Sequence, residues 1–182
     1  MFKSQHLRPL LQGCLVLALT GTAQAQFAPT GTTSVSVTIG PEAAIQIDTP
    51  TSTLTDGTGF ATNFTGSTNY TYKVRTTKST GSGAITLKVT TDFSPAGGPS
   101  VLTPPTAGDT LAYTCTLTSP GTGCSGSQTA STTASTPVGT FGADAKSAVG
   151  GNTGSVAWTL TNDPQYSTGT YAATVTFTIS AT

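Results

Sequence analysis

Residues 169–182 read GTYAATVTFTISAT. After Gly169, the side chains of Tyr171, Ala173, Val175, Phe177, Ile179 and Ala181 alternate with small or hydroxylated residues. A period of two puts successive side chains on opposite faces of a pleated strand. The stretch therefore predicts a strand with one apolar inner face, carried by Tyr171, Val175, Phe177 and Ile179, and one wet face of Thr and Ser. A long alternating strand with a bare edge would template aggregation. A neighbour is expected beside it, either another strand of this chain or one from another subunit.

The same period recurs upstream. Val35, Val37 and Ile39 alternate in SVSVTI, and Ala43 to Asp48 continues after Gly40-Pro41. Tyr70, Tyr72 and Val74 follow, then Ile85, Leu87 and Val89, then Leu111, Tyr113, Cys115 and Leu117, then Val156, Trp158 and Leu160. Thr and Val, abundant in these runs, suit a pleated surface. Between them lie turn clusters such as TDGTG at 55–59, TGSG at 80–83, PAGGP at 95–99, PPTAGD at 104–109, SPGTG at 119–123 and GGNTG at 150–154. No window carries a helical stripe. The pattern predicts an all-β chain, a single antiparallel β-sandwich of seven to nine strands, immunoglobulin-like in a loose sense. Residues 125–137, SGSQTASTTASTP, offer only Ala as apolar content and read as a loop or exposed edge.

The first 25 residues read as a removed signal peptide. Lys3, His6 and Arg8 precede the apolar run Leu15–Leu19, and Ala23-Gln24-Ala25 places small residues at the cleavage positions. That run is too short for a bilayer span, which takes about 20 residues. Lipidation of Cys14 is disfavoured, because Cys14 precedes the apolar run instead of following it. Residues 26–182 then form one domain, exported to the cell surface or beyond. Their five Lys or Arg against seven Asp or Glu give a net charge of about −2, without the basic footprint of a nucleic-acid binder. The spaced Val, Ile, Leu, Tyr and Phe argue against disorder. Cys115 and Cys124, an even pair in an oxidising compartment, predict a disulfide worth about 2–3 kcal/mol on loop-closure entropy.

The single His, His6, leaves with the signal peptide. A Ser or Thr nucleophile then lacks its commonest base, and Lys73 and Lys88 sit on the Thr-bearing faces of their strands. No enzyme and no cofactor are expected. Two Cys without His cannot close a tetrahedral zinc site. Asp56, Asp109, Asp144 and Asp163 could serve calcium, but they are scattered without D-x-D spacing and turn formation explains each. No metal ligand is assigned. Trp158 shares the phase of Val156 and Leu160, and Tyr70 and Tyr72 that of Val74, so all three read as core and not as sugar platforms. Tyr166, in the loop before the last run, is the better ligand candidate. A Lys–Asn cross-link would need a buried acid, and Glu42, the single Glu, falls at a turn.

The two ends resemble subunits of bacterial chaperone–usher fimbriae and the related spore-coat-protein-U-like subunits. Those end on an alternating strand with a Gly fourteen residues from the terminus, where Gly169 stands, and open with an alternating extension. The resemblance implies a structural or adhesive surface protein whose extension, here Val35, Val37 and Ile39, completes a neighbouring subunit by β-augmentation. Its partners would be copies of itself or other surface proteins. Two family marks differ: Ala181 stands where a penultimate aromatic is common, and no Cys lies in the first strand. The alternative is a self-contained immunoglobulin-like module, with 33–39 folded into its own sheet, binding carbohydrate or a surface protein through loops 119–137 or 162–169.

Overall fold

Alternation is converted into pairing most directly on Phe64–Arg75, where every second residue from Thr68 to Val74 is buried. The computed structural model describes residues 30–182; the expected signal peptide lies outside them. The chain divides after Val37, and the larger unit runs from Thr38 to Thr182. It holds nine strands: β1 (Glu42–Ile47), β2 (Phe64–Arg75), β3 (Gly83–Ser94), β4 (Leu111–Leu117), β5 (Thr122–Gly123), β6 (Gln128–Thr129), β7 (Thr136–Phe141), β8 (Asn152–Leu160) and β9 (Ala172–Ala181). They form two antiparallel sheets, ordered β1-β2-β8-β4-β6 and β5-β7-β3-β9. The described residues contain no helix, and so none long and apolar enough to cross a membrane.

The all-β class and the strand count agree with the periodicity. The inner faces meet through Tyr70, Tyr72, Val74, Ile85, Leu87, Val89, Tyr113, Val138, Val156 and Trp158. Aromatic pairs join one sheet to the other: Tyr70 to Phe177 at 5.6 Å between ring centroids, and Tyr72 to Phe141 at 5.2 Å. Trp158 is core, as its phase indicates, and its Nε1–H donates to Thr68 Oγ1 at 2.8 Å. Gly154 interrupts the apolar phase of β8 for a steric reason. A Cβ there would stand 2.5 Å from the Tyr70 ring.

Two segments depart from a simple match between alternation and strand. Residues 33–39 alternate yet form no strand, and Val35, Val37 and Ile39 are 92%, 81% and 65% exposed. Alternation makes a strand possible, but a strand needs a hydrogen-bonding partner edge as well. Segment 125–137, read as a loop or exposed edge, is loop apart from the two-residue edge strand β6, and its last two residues begin β7, a strand the periodicity does not show. Pro137 and Gly139 break its alternation, while Val138 and Phe141 are buried. A Cβ on Gly139 would stand 2.6 Å from Leu117, and opposite it β3 shifts register between Ile85 and Thr86. A bulge of this kind hides a strand from period-two reading.

The loop after β3 is held by one acid. Asp92 accepts hydrogen bonds from the backbone N–H groups of Phe93, Val101 and Leu102 and from Ser100 Oγ, at 2.7–3.1 Å. Burial pushes its carboxyl up, but these donors outweigh burial and hold it below the usual carboxylate range. Since the folded value is depressed, the stabilisation is present above the unfolded pKa of about 4 and lost as pH falls through the folded value. Asp92→Ala should cost about 1–3 kcal/mol near pH 7. The gap in Tm from the parent should narrow below about pH 4, and a pH-independent gap would refute the assignment.

Two buried tyrosines give a matched contrast. Tyr72 Oη donates to Thr118 O and accepts from Gly121 N–H, whereas Tyr70 Oη is buried without a hydrogen-bond partner. Tyr72→Phe should destabilise by about 1–3 kcal/mol in denaturant unfolding, while Tyr70→Phe should leave stability unchanged or raise it.

Candidate functional site

Each sheet ends in two edges, and the two pairs of edges are treated differently. At one side the short strands β5 and β6 flank their sheets, two residues each. There the chain crosses between sheets through residues 118–136, and the Cys115–Cys124 disulfide joins β4 to the segment just after β5, with Cα atoms 5.3 Å apart. The expected disulfide is thus present. Cys124 N–H also donates to Val138 O of β7 at 2.9 Å, so this side is stapled covalently and by hydrogen bonds.

The opposite side carries no staple. β1 is the edge of the five-stranded sheet and pairs only with β2, from Glu42↔Arg75 to Ile47↔Tyr70. β9 is the edge of the four-stranded sheet and, among the described residues, pairs only with β3, from Gly83↔Ala181 to Ser94↔Ala172. The two lie next to one another across the layers. Their inner faces, Ala43, Ile45 and Ile47 on β1 and Ala173, Val175, Phe177, Ile179 and Ala181 on β9, touch the core but are only half-buried. By contrast Ile85, Leu87 and Val89, on the strand beside β9, are sealed from solvent. The outcome is an apolar seam with an unpaired ten-residue backbone edge along one wall.

Of the terminal-strand residues singled out by sequence, Val175, Phe177 and Ile179 line this seam. Gly169 and Tyr171 precede β9 and belong to its entry turn. Tyr171 Oη donates to Ser167 O at 2.7 Å, and its ring fills the space a Cβ on Gly98 would need. The facing wall, Ala43, Ile45 and Ile47, was legible as a strand but not as part of a site, because only the tertiary arrangement sets β1 beside β9.

The loops named for ligand binding are otherwise engaged. Loop 119–137 contributes β5, β6 and the disulfide. In loop 162–169 Tyr166 Oη donates to Asp109 Oδ2 at 3.1 Å, so this tyrosine is partly buried against an acid. Burial first, and then the neighbouring acid, push its hydroxyl above the ordinary tyrosine pKa. Depressions of 310 Å3 beside Lys73, Arg75 and Lys146 and of 330 Å3 beside Asn69 and Thr153 mark the outside of the five-stranded sheet. Ion pairs tie Arg75 to Glu42 at 3.0 Å and Lys146 to Asp144 at 2.7 Å.

Comparison with family models, with curated proteins and with solved structures finds no match to this chain.

Half-burial of the seam has an energetic signature. In the monomer Leu87→Ala should cost about 2–5 kcal/mol. Phe177→Ala, although it removes a larger side chain, should cost less, because part of that surface is already in water. Denaturant midpoints of the two variants decide the matter. A larger cost for Phe177→Ala would mean that the seam is covered.

Proposed function

We propose that this chain is a structural subunit of a secreted bacterial surface filament or coat, an immunoglobulin-like β-sandwich that assembles by strand complementation. In this reading segment 33–39 of one copy lies along β9 of the next, with Val35, Val37 and Ile39 filling the seam between β1 and β9. One observation carries the proposal: an exposed alternating apolar segment and, among the described residues, a half-buried apolar seam beside an unpaired strand edge occur in the same molecule.

Dimensions support the pairing. Seven extended residues span about 23 Å, close to the roughly 20 Å of six-residue β1 and within the roughly 33 Å of β9. Three apolar side chains on one face of the donor meet apolar positions on both walls. Fully burying Val or Ile is worth about 1.5–3 kcal/mol each. Backbone hydrogen bonds along β9 would add to this and fix the register, as in other β-augmented complexes. The charges nearest the seam do not oppose such a strand, for 33–39 is uncharged and β9 carries only Ala, Thr, Val, Phe, Ile and Ser. The Thr- and Ser-bearing outer face of β9 suits a surface exposed outside the cell.

The full exported chain should sediment as a ladder of multimers. Replacing Val35, Val37 and Ile39 together by Asp should leave a monomer, since three buried carboxylates cannot be accommodated in an apolar seam. A synthetic peptide of residues 33–40, TSVSVTIG, should raise the Tm of that monomer, and its Asp-substituted counterpart should not. A native chain that stays monomeric at high concentration and ignores the peptide would refute the assembly and favour a self-contained binding module.

A further inference from the structure

The antiparallel pairing of β4 with β8 brings together two turns distant in sequence. Leu111 opposes Leu160, so the residues just before β4 and just after β8 meet at one end of the five-stranded sheet. Thr110 and Thr161 continue the contact, with Thr110 N–H donating to Thr161 Oγ1 at 3.3 Å. Beyond them each segment closes a turn. Asp109 N–H donates to Thr106 O at 3.2 Å, and Tyr166 N–H donates to Asp163 O at 3.1 Å. The turn-forming role read for both acids is thus real.

Turn formation engages the carboxyl groups only in part and leaves Asp163 Oδ2 without a hydrogen-bond partner. Those of Asp109 and Asp163 lie against one another, with the Thr106 side chain beside Asp163. Asp163 is 8% exposed, and its Oδ1 accepts the Gln165 N–H at 2.8 Å. Its Oδ2 is buried and has no hydrogen-bond partner. Asp109 Oδ2 receives the Tyr166 hydroxyl at 3.1 Å, and Gln165 Nε2 donates to Thr106 Oγ1 at 3.3 Å, so side chains of the two turns are linked. The ion pairs among the described residues involve Arg75 with Glu42 and Lys146 with Asp144, so no Lys or Arg neutralises either acid. A buried carboxylate beside a second carboxyl, with no counter-ion among the described residues, is an arrangement that costs free energy unless a positive charge or a proton enters it.

We propose that Asp109 and Asp163 bind a calcium ion that ties the 106–109 turn to the 163–166 turn. The chemistry selects the ion. The donors are oxygens, with no His or Cys in the cluster, which suits a hard cation, and two carboxylates with hydroxyls leave room for water ligands and irregular geometry. Mg2+ demands a stricter octahedron and gives up its water reluctantly. Exposed Thr106 and Gln165 provide access from solvent. With only two acidic ligands the affinity belongs to the weak range of extracellular modules, a Kd of about 10⁻⁴–10⁻³ M.

Melting of the full chain in EDTA and in millimolar CaCl2 tests this directly. Calcium at about ten times Kd should raise Tm by about 3–6 °C. MgCl2, or NaCl of matched ionic strength, should give little or no rise. Tb3+ should bind with tyrosine-sensitised luminescence that calcium displaces. Asp163→Asn keeps an oxygen for the Gln165 N–H, so it should fold, lose the calcium-dependent rise and melt no lower than the parent in EDTA. Asp109→Asn should also lose the rise. The proposal is overturned by a native chain indifferent to calcium, by an equal rise with Mg2+, or by a calcium effect that survives both substitutions. It is also overturned if stability climbs on acidification with no calcium effect, which would mean that the two carboxyls share a proton.

Discussion

Among the described residues strand β9 is hydrogen-bonded along one side only, to β3, and most of what distinguishes this fold follows from that one-sidedness. A ten-residue edge presents a row of backbone donors and acceptors that water satisfies only as long as nothing better arrives. Protein edges are commonly blunted by charge, proline, a bulge or a short length. β9 carries no charge and no proline, and it is among the longer strands. Its pairing with β3 shifts register at Val89–Thr91 and again before Ser94, so the irregularity lies toward its beginning while Val175 to Ala181 run straight. Such an edge is suited to being filled.

The two sides of the molecule divide the work. On the β5/β6 side the chain crosses between the sheets, the edge strands are two residues long and the disulfide closes the corner. Stability is concentrated there and in the central strands, whose Ile85, Leu87, Tyr113 and Val156 are sealed. On the β1/β9 side the same layers meet without a covalent link, and their apolar residues remain half-covered. A fold that closes one seam by its own chain can leave the other for a partner without losing its core, because the buried cluster does not depend on the exposed halves of Val175, Phe177 and Ile179.

The polar groups tell a consistent story. Asp92 receives four donors and fixes a loop; Tyr72 has both an acceptor and a donor; Trp158 has Thr68. Against that background two buried side-chain atoms without partners among the described residues, Tyr70 Oη and Asp163 Oδ2, stand apart. The first is a hydroxyl beneath an aromatic contact with β9, a modest cost. The second is a carboxylate facing another carboxyl, and a charge so placed calls for a cation or a proton.

Periodicity alone determined the all-β class, the positions of β1, β3, β4, β8 and β9 to within a few residues, and the core roles of Tyr70, Tyr72 and Trp158. It could do so because which face a side chain takes along a strand is a local property of the pleat. The disulfide was legible because only two cysteines, Cys115 and Cys124, follow residue 25. Strand β7 was not, since its alternation is broken by a bulge at Val138 opposite β3 and by the close approach of Leu117 to Gly139, and both contacts are with residues distant in sequence. Residues 33–39 carry a strand's pattern without a strand, because pairing needs an edge as well as alternation. The tertiary structure alone decided that β1 and β9 end up as the unstapled edges, and that Asp109 and Asp163 meet. Both depend on the order in which strands lie side by side, which is set by contacts between residues far apart in the chain and leaves no local trace.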